Sequence, residues 1–247
     1  MKKIAILIAS LAGFAALTVS AQQSASSYSV TADFSYTSNY VFRGIENADS
    51  AFTPSVEISV DDFYLGLWTM QPINNKKGGD KWNNEIDIYA GYNYKINSQF
   101  AIETIATYYW YPEAEGAETS KSYELGVGGT YTYRGLSANA YLYYDFRLQA
   151  FTTVGSVGYS FPIEKLGTSI DVAFYVGNVG IRDWYPDSNV PSVKQSYLYW
   201  GFDLSVPYHL TDRATITAGL HYATNDNLPN NISDNKLWFT LGLGVRF

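Results

Sequence analysis

The chain has 247 residues and no Cys, with 16% charged residues against roughly 25% in ordinary soluble domains, and 17% aromatics that include 23 Tyr. Without Cys there is neither a disulfide framework nor a thiolate metal site. A formal charge of −7 disfavours nucleic acid, whose binding needs basic patches, so no nucleic-acid partner is expected.

Residues 1–21 read as a leader rather than as fold. Lys2 and Lys3 form a basic start, 4–17 is apolar, and Val19-Ser20-Ala21 is a small-residue cleavage site. The alternative, an N-terminal membrane anchor, is disfavoured because a spanning helix needs about 20 apolar residues. Cleavage after Ala21 would remove Lys2 and Lys3 and leave 14 basic against 23 acidic residues, a formal charge of −9. Residues 22–27 then form a short tail and 28–247 one domain. No later apolar run is long enough for a transmembrane helix, but a closed β-barrel crosses a membrane without one.

Two-residue periodicity predicts twelve strands, at 28–40, 52–60, 63–70, 83–95, 99–110, 122–133, 136–147, 151–161, 168–177, 196–206, 213–223 and 237–247. In the fourth, Ile86, Ile88, Ala90, Tyr92 and Tyr94 share a face opposite Glu85, Asp87, Tyr89, Gly91 and Asn93. The ninth to eleventh alternate in the same way. The last opens on Leu237 and stops on Phe247, with Phe239, Leu241, Leu243 and Val245 apolar at every second position. That pattern resembles the terminal assembly signal of outer-membrane barrels, which implies the barrel-assembly machinery as a partner.

The connections alternate in length. Asp61-Asp62, 96–98 and Arg134-Gly135 are tight, and 162–167 and 207–212 intermediate. The segments 43–51, 71–82, 112–121, 177–194 and 224–236 are long, and 146–150 breaks the rule by being short. Short periplasmic turns and long outer loops are what a transmembrane barrel shows, and an even strand number leaves both termini periplasmic.

Three features turn the apolar face outward, toward outer-membrane lipid, and against a soluble β-sandwich. Aromatics cluster at its ends: Tyr92, Tyr94, Tyr131, Tyr133, Tyr159 and Phe161 at one, Tyr108, Trp110, Tyr144, Phe146 and Tyr222 at the other. Lys is almost confined to the connections, with Lys95 near a strand end, whereas a soluble barrel carries it along the solvent face. The polar face is rich in Gly (66, 91, 126, 128, 201, 219, 242, 244), which suits a crowded concave interior. The predicted fold is all-β: a transmembrane antiparallel β-barrel of about twelve strands.

Tyr40-Val41-Phe42-Arg43-Gly44-Ile45, Pro54, Tyr64-Leu65-Gly66-Leu67-Trp68 and the 85–92 run from Glu85 to Tyr92 resemble the TorF-like porins, a family of bacterial outer-membrane proteins. These motifs cover about the first third of the chain. The resemblance implies an outer-membrane barrel with a transport role, and no assigned functional residues.

By parity the inward face holds Asp33, Glu57, Glu85, Asp87, Glu103, Glu124, Asp145, Asp171 and Asp203, with Arg43, Lys95, Arg134, Arg147, Arg213 and Arg246 as basic candidates. Charges belong there because a mid-bilayer Arg or Lys costs about 2–4 kcal/mol. Of these, Arg43, Glu57, Glu85, Asp87, Glu103, Glu124, Asp145, Arg147, Asp171 and Asp203 are the candidate pore-lining residues. Two readings stand: a water-filled pore whose acidic wall favours cations or neutral solutes, or a narrow interior filled by Glu–Arg and Tyr–Asp contacts. Twelve strands lie between filled eight-stranded barrels and open sixteen-stranded channels. Arg43 either lines a constriction or pairs with a carboxylate such as Glu85.

Enzyme signatures are thin. The two His are His209, in a connection, and His221, inward; no G-x-S-x-G, H-E-x-x-H or P-loop occurs, and no cofactor is implied. Asn225, Asp226, Asn227, Asn230, Asn231, Asp234 and Asn235 could offer oxygens to Ca²⁺ but lack EF-hand spacing, and ordinary turn chemistry explains them. Glu113, Glu115 and Glu118 read as a solvated tip. The leading function is passive diffusion of small hydrophilic solutes. The alternatives are a lipid-modifying enzyme using His221, and a closed structural barrel whose outer loop 177–194 binds a partner.

Overall fold

The computed structural model describes residues 28–73, 84–113, 120–182, 194–226, 228 and 235–247. The leader, the tail and most of the long connections lie outside the described residues, including Lys76, Lys77, Lys81, Glu115, Glu118 and most of the candidate Ca²⁺ loop.

Among the described residues there are fourteen strands: β1 Tyr28–Thr37, β2 Tyr40–Phe42, β3 Ile45–Ala48, β4 Ala51–Val60, β5 Phe63–Pro72, β6 Glu85–Lys95, β7 Phe100–Trp110, β8 Lys121–Tyr133, β9 Leu136–Asp145, β10 Ala150–Ile163, β11 Thr168–Ile181, β12 Gln195–His209, β13 Ala214–Asn225 and β14 Asn235–Arg246. Twelve of them, all but β2 and β3, form one closed antiparallel barrel in chain order. Closure is the pairing of β1 with β14, in which Phe34 faces Leu243 and Tyr36 faces Leu241. Phe247 completes the seam, its N–H donating to the Val30 carbonyl at 2.9 Å. A closed barrel leaves no edge, so every strand N–H and C=O can be satisfied inside the sheet.

The outer face is apolar along every strand. On β14, Leu237, Phe239 and Leu241 are exposed while Trp238 between them is 5% exposed. Phe174, Val176, Leu198, Trp200 and Phe202 continue the belt on β11 and β12. A belt of this extent far exceeds the apolar patches that soluble monomers expose, and it is the surface of a membrane-spanning barrel. Ring pairs mark its two rims: Phe63–Tyr92 at 4.5 Å and Tyr159–Phe161 at 4.7 Å near the tight turns, Tyr108–Tyr123 at 5.0 Å and Tyr144–Phe151 at 4.6 Å near the long connections.

The inner face explains the glycines. A Cβ at Gly128 would lie 2.2 Å from Tyr141 Cδ1, and one at Gly91 would lie 2.2 Å from the Tyr64 ring. Each ring lies flat over a glycine of a neighbouring strand, so a large aromatic enters the lumen without standing across it.

One expectation is corrected. The stretch 28–40 is not a continuous strand, and 43–51 is not simply an outer loop. β1 ends at Thr37, and the chain then makes a second sheet, the β2–β3 hairpin. Its turn is Arg43-Gly44, with φ of 50° and 77°. Two residues at positive φ make the tight hairpin turn whose twist matches its flanking strands.

Candidate functional site

The β2–β3 hairpin starts from the end of the barrel that bears the long connections and folds into the lumen. Tyr40 packs with Ala48, Ala51 and Met70, against Trp68 of β5. Val41 packs with Ala223 and Trp238 of β13 and β14. Ile45 meets a core of Tyr141, Tyr143, Val154, Val179, Tyr197, Tyr199 and Leu228. Polar ties add to these. The Asn225 side chain donates to the Gly44 carbonyl at 2.6 Å, Asn39 donates to Glu46 at 2.5 Å, and Lys236 pairs with Glu46 at 3.0 Å. The hairpin therefore touches β5 on one side of its root and β12 to β14 on the other, and through Ile45 it reaches β9 and β10 across the bore.

Its tip carries a charged contact to the far wall. Arg43 Nη2 donates to Glu124 Oε1 on β8 at 2.7 Å, with the two side chains 13% and 3% exposed. The guanidinium also lies 4.7 Å from the Phe42 ring centre and 5.3 Å from that of Tyr143. Tyr109 donates to the same Glu124 oxygen at 3.1 Å and faces Phe42. Burial opposes the Arg43 charge, but Glu124 overrides it, so its pKa is raised well above the ordinary value. Burial and then the Glu85 and Asp87 carboxylates raise the Tyr40 phenol in the same direction.

The carboxylates read from the sequence fall into two groups. Glu85, Asp87, Glu124 and Asp145 lie toward the long-connection end. Glu85 accepts from Tyr111 at 3.1 Å, and Asp145 accepts from Ser122 at 2.7 Å and from the backbone N–H of Arg147 and Leu148. Further along the wall, Glu103 accepts from Tyr64 at 2.7 Å and from Tyr141 at 2.5 Å, and Glu57 from Ser59 at 3.0 Å and Tyr89 at 3.2 Å. Asp171 accepts from Ser160 at 2.5 Å, and Asp33 accepts from Ser35. Hydroxyl donors rather than arginines thus satisfy most of this wall. Asp33, Glu57 and Tyr89 are half-buried, as are Asp87 and Tyr109 beside the hairpin, while Glu85 and Glu124 there are buried. The wall is thus only partly accessible: Glu103, Ser160 and Asp171 are buried in their hydroxyl–carboxylate contacts, Asp33, Glu57 and Tyr89 stay half-exposed, and the hairpin narrows the long-connection end.

Several residues sit elsewhere than their sequence positions suggest. Arg43 pairs with Glu124, not with Glu85. Arg147 lies in the four-residue connection after β9 rather than on a wall strand. Lys95 pairs with Asp62 at 3.1 Å at the turn-end rim, and Arg134 sits in a turn over the Tyr133 ring.

His221 forms a chain with two neighbours: Nδ1 with Asp203 Oδ1 at 2.6 Å, and Nε2 with Thr240 Oγ1 at 2.9 Å. Its ring stacks on Trp238 at 5.3 Å. The order carboxylate, imidazole, hydroxyl is that of a nucleophilic triad. An oxyanion would also need preorganised donors. Here the three residues lie on consecutive paired strands, whose N–H groups are committed to the ladder. The contacts tie β12, β13 and β14 together.

Residues 21–140 match a family described as a bacterial protein of unknown function (Gcw_chp). No curated protein matches the sequence. The fold is similar to solved outer-membrane channels. A KdgM porin aligns at TM-score 0.55 and 13% identity, over 88% of this chain and 99% of its own. The NanC porin aligns at 0.54 and 13% identity, over 87% and 98%. An outer-membrane channel (COG4313) from Pseudomonas putida F1 aligns at 0.52 and 7% identity, over 92% and 97%. At these identities the likeness is one of fold.

Proposed function

We propose that this chain is an outer-membrane, porin-like channel for passive diffusion of small hydrophilic solutes, narrowed at one end by the β2–β3 hairpin. The observation that carries the reading is the inversion of the barrel, with a continuous apolar belt outside and hydroxyls, glycines and carboxylates inside. The half-exposed Asp33, Glu57 and Tyr89 are the part of that inside open to water. The likeness of fold to porins supports the reading, in line with the resemblance of the 40–45, 64–68 and 85–92 motifs to TorF-like porins.

Selection would act through width and wall charge, with no covalent step. Carboxylates dominate the wall and Arg43 is engaged by Glu124, so the channel favours cations and neutral solutes. One KdgM structure is described as a complex with disordered oligogalacturonate. A uronate chain is a polyanion, and this acidic wall argues against carrying that solute over. In this reading the leader directs export, the assembly machinery receives the last strand, and the long connections face outward, with the hairpin entering the lumen from that end. Liposome swelling tests it: neutral sugars and amines should enter faster than carboxylates of equal size, and impermeability to all three would overturn it.

A further inference from the structure

The wall around Arg43 has the makings of a receptor. Glu124 on β8 supplies the carboxylate, Tyr143 on β9 supplies a ring face, and Tyr109 on β7 donates its hydroxyl to the same Glu124 oxygen. Asp87 on β6 is paired in register with Tyr109. Arg43 itself enters from a different part of the chain, in the two-residue turn of the hairpin. A guanidinium held between a carboxylate and an aromatic face is recognised by charge-assisted hydrogen bonding and by cation–π attraction. The wall also carries more acceptor capacity than Arg43 uses. Glu124 Oε2 and Asp87 Oδ1 are buried and take no hydrogen bond from any described residue.

We propose that Glu124, Asp87, Tyr109 and Tyr143 form a binding site for organic cations of the guanidinium class, with Arg43 as its tethered occupant, and that a guanidinium-bearing solute in the lumen competes for the site and frees the hairpin tip. Only the consequence for passage rests on the channel reading; binding does not. A tethered group acts at an effective concentration of roughly millimolar or more, so free solute competes weakly in the wild type and directly once Arg43 is gone. An ammonium lacks the planar fork and binds less well.

The test uses the refolded full chain in detergent, with N-ethylguanidinium as the probe and sodium at equal ionic strength as the control. Arg43→Ala should lower the unfolding temperature, and ethylguanidinium should restore it saturably, at a half-point at least tenfold lower than in the wild type. The double variant Arg43→Ala with Glu124→Gln should lose that rescue. Equal restoration by sodium, or the same ethylguanidinium dependence in all three proteins, would overturn the site. Should Arg43→Ala fail to fold, Arg43→Lys replaces it; a half-point below that of the wild type is then expected, and one equal to it contradicts the proposal. Because the chain has no Cys, Asn47→Cys places a single thiol on the hairpin. Its maleimide labelling should accelerate several-fold at saturating ethylguanidinium, and unchanged labelling despite binding would overturn release of the tip. A sealed barrel that still binds ethylguanidinium would sink the channel reading alone; a conducting barrel that does not bind it would sink this one alone.

Discussion

Gly128→Ala is the sharpest test of the inner wall, because one methyl group is asked to destroy a buried hydrogen bond it does not touch. In a strand, Gly→Ala alone stabilises by about 0.5–1 kcal/mol. At Gly128 the new Cβ would lie 2.2 Å from Tyr141 Cδ1 and 2.4 Å from Cγ. Cγ is anchored next to the β9 backbone, so the whole ring must swing. Its hydroxyl then leaves Glu103 Oε2, to which it donates at 2.5 Å. Losing a bond to a charged group costs about 1.5–3 kcal/mol and overpacking about 1–3 more, so the net destabilisation is about 2–5 kcal/mol. Gly155→Ala is the control, since its Cβ meets nothing nearer than the Asn139 carbonyl at 3.7 Å; there the change should be neutral or slightly stabilising. Urea unfolding of the refolded barrel, followed by Trp fluorescence, measures both. In a Tyr141→Ala background the cost of Gly128→Ala should vanish. Identical midpoints for Gly128→Ala and Gly155→Ala would refute the account of the lumen glycines.

Three further outcomes are expected. His221→Ala removes the partner of a buried carboxylate and should cost about 2–3 kcal/mol in urea unfolding while leaving solute flux unchanged; loss of flux at full stability would contradict its role as a wall brace. Deleting Phe247 breaks the seam contact to Val30 and should lower the yield of folded, heat-modifiable barrel on electrophoresis, without altering conductance in the fraction that folds. Asp33→Asn together with Glu57→Gln removes half-exposed carboxylates from the lumen and should move the reversal potential in a salt gradient from the cation-selective side toward zero; an unmoved potential would show that these groups do not set the selectivity.

Strand number and facing were legible because the constraint is severe: a strand with lipid on one side and a crowded interior on the other must alternate at every position, as Phe239, Leu241 and Leu243 do against Trp238, Thr240 and Gly242. The hairpin was not legible for the opposite reason. Tyr40 continues the alternation of β1, so periodicity carries the strand to residue 40 and leaves 43–51 as a connection. One signal was available. Arg134-Gly135 reads as a tight turn between apolar runs, and Arg43-Gly44 is the same dipeptide in the same setting; both adopt positive φ at both residues. The Arg43–Glu124 pair was hidden because the residues lie 81 positions apart, and parity says which residues face inward but not which of them meet. The Tyr–carboxylate pairs were out of reach too, since they depend on which glycine lets each ring lie down.

The central claim is a water-filled barrel throttled by its own hairpin, and single-channel recording in planar bilayers addresses it most directly. Thr37 and Ala51 face each other in the β1–β4 pair, so a tight Asn-Gly turn can replace 38–50 while keeping the strand register, at the loss of the Ser38 contacts to Phe239. The wild type should give small, cation-selective steps, and the hairpin-less barrel steps several-fold larger with the same sign of selectivity. Two silent bilayers, or equal steps from both proteins, would contradict the account.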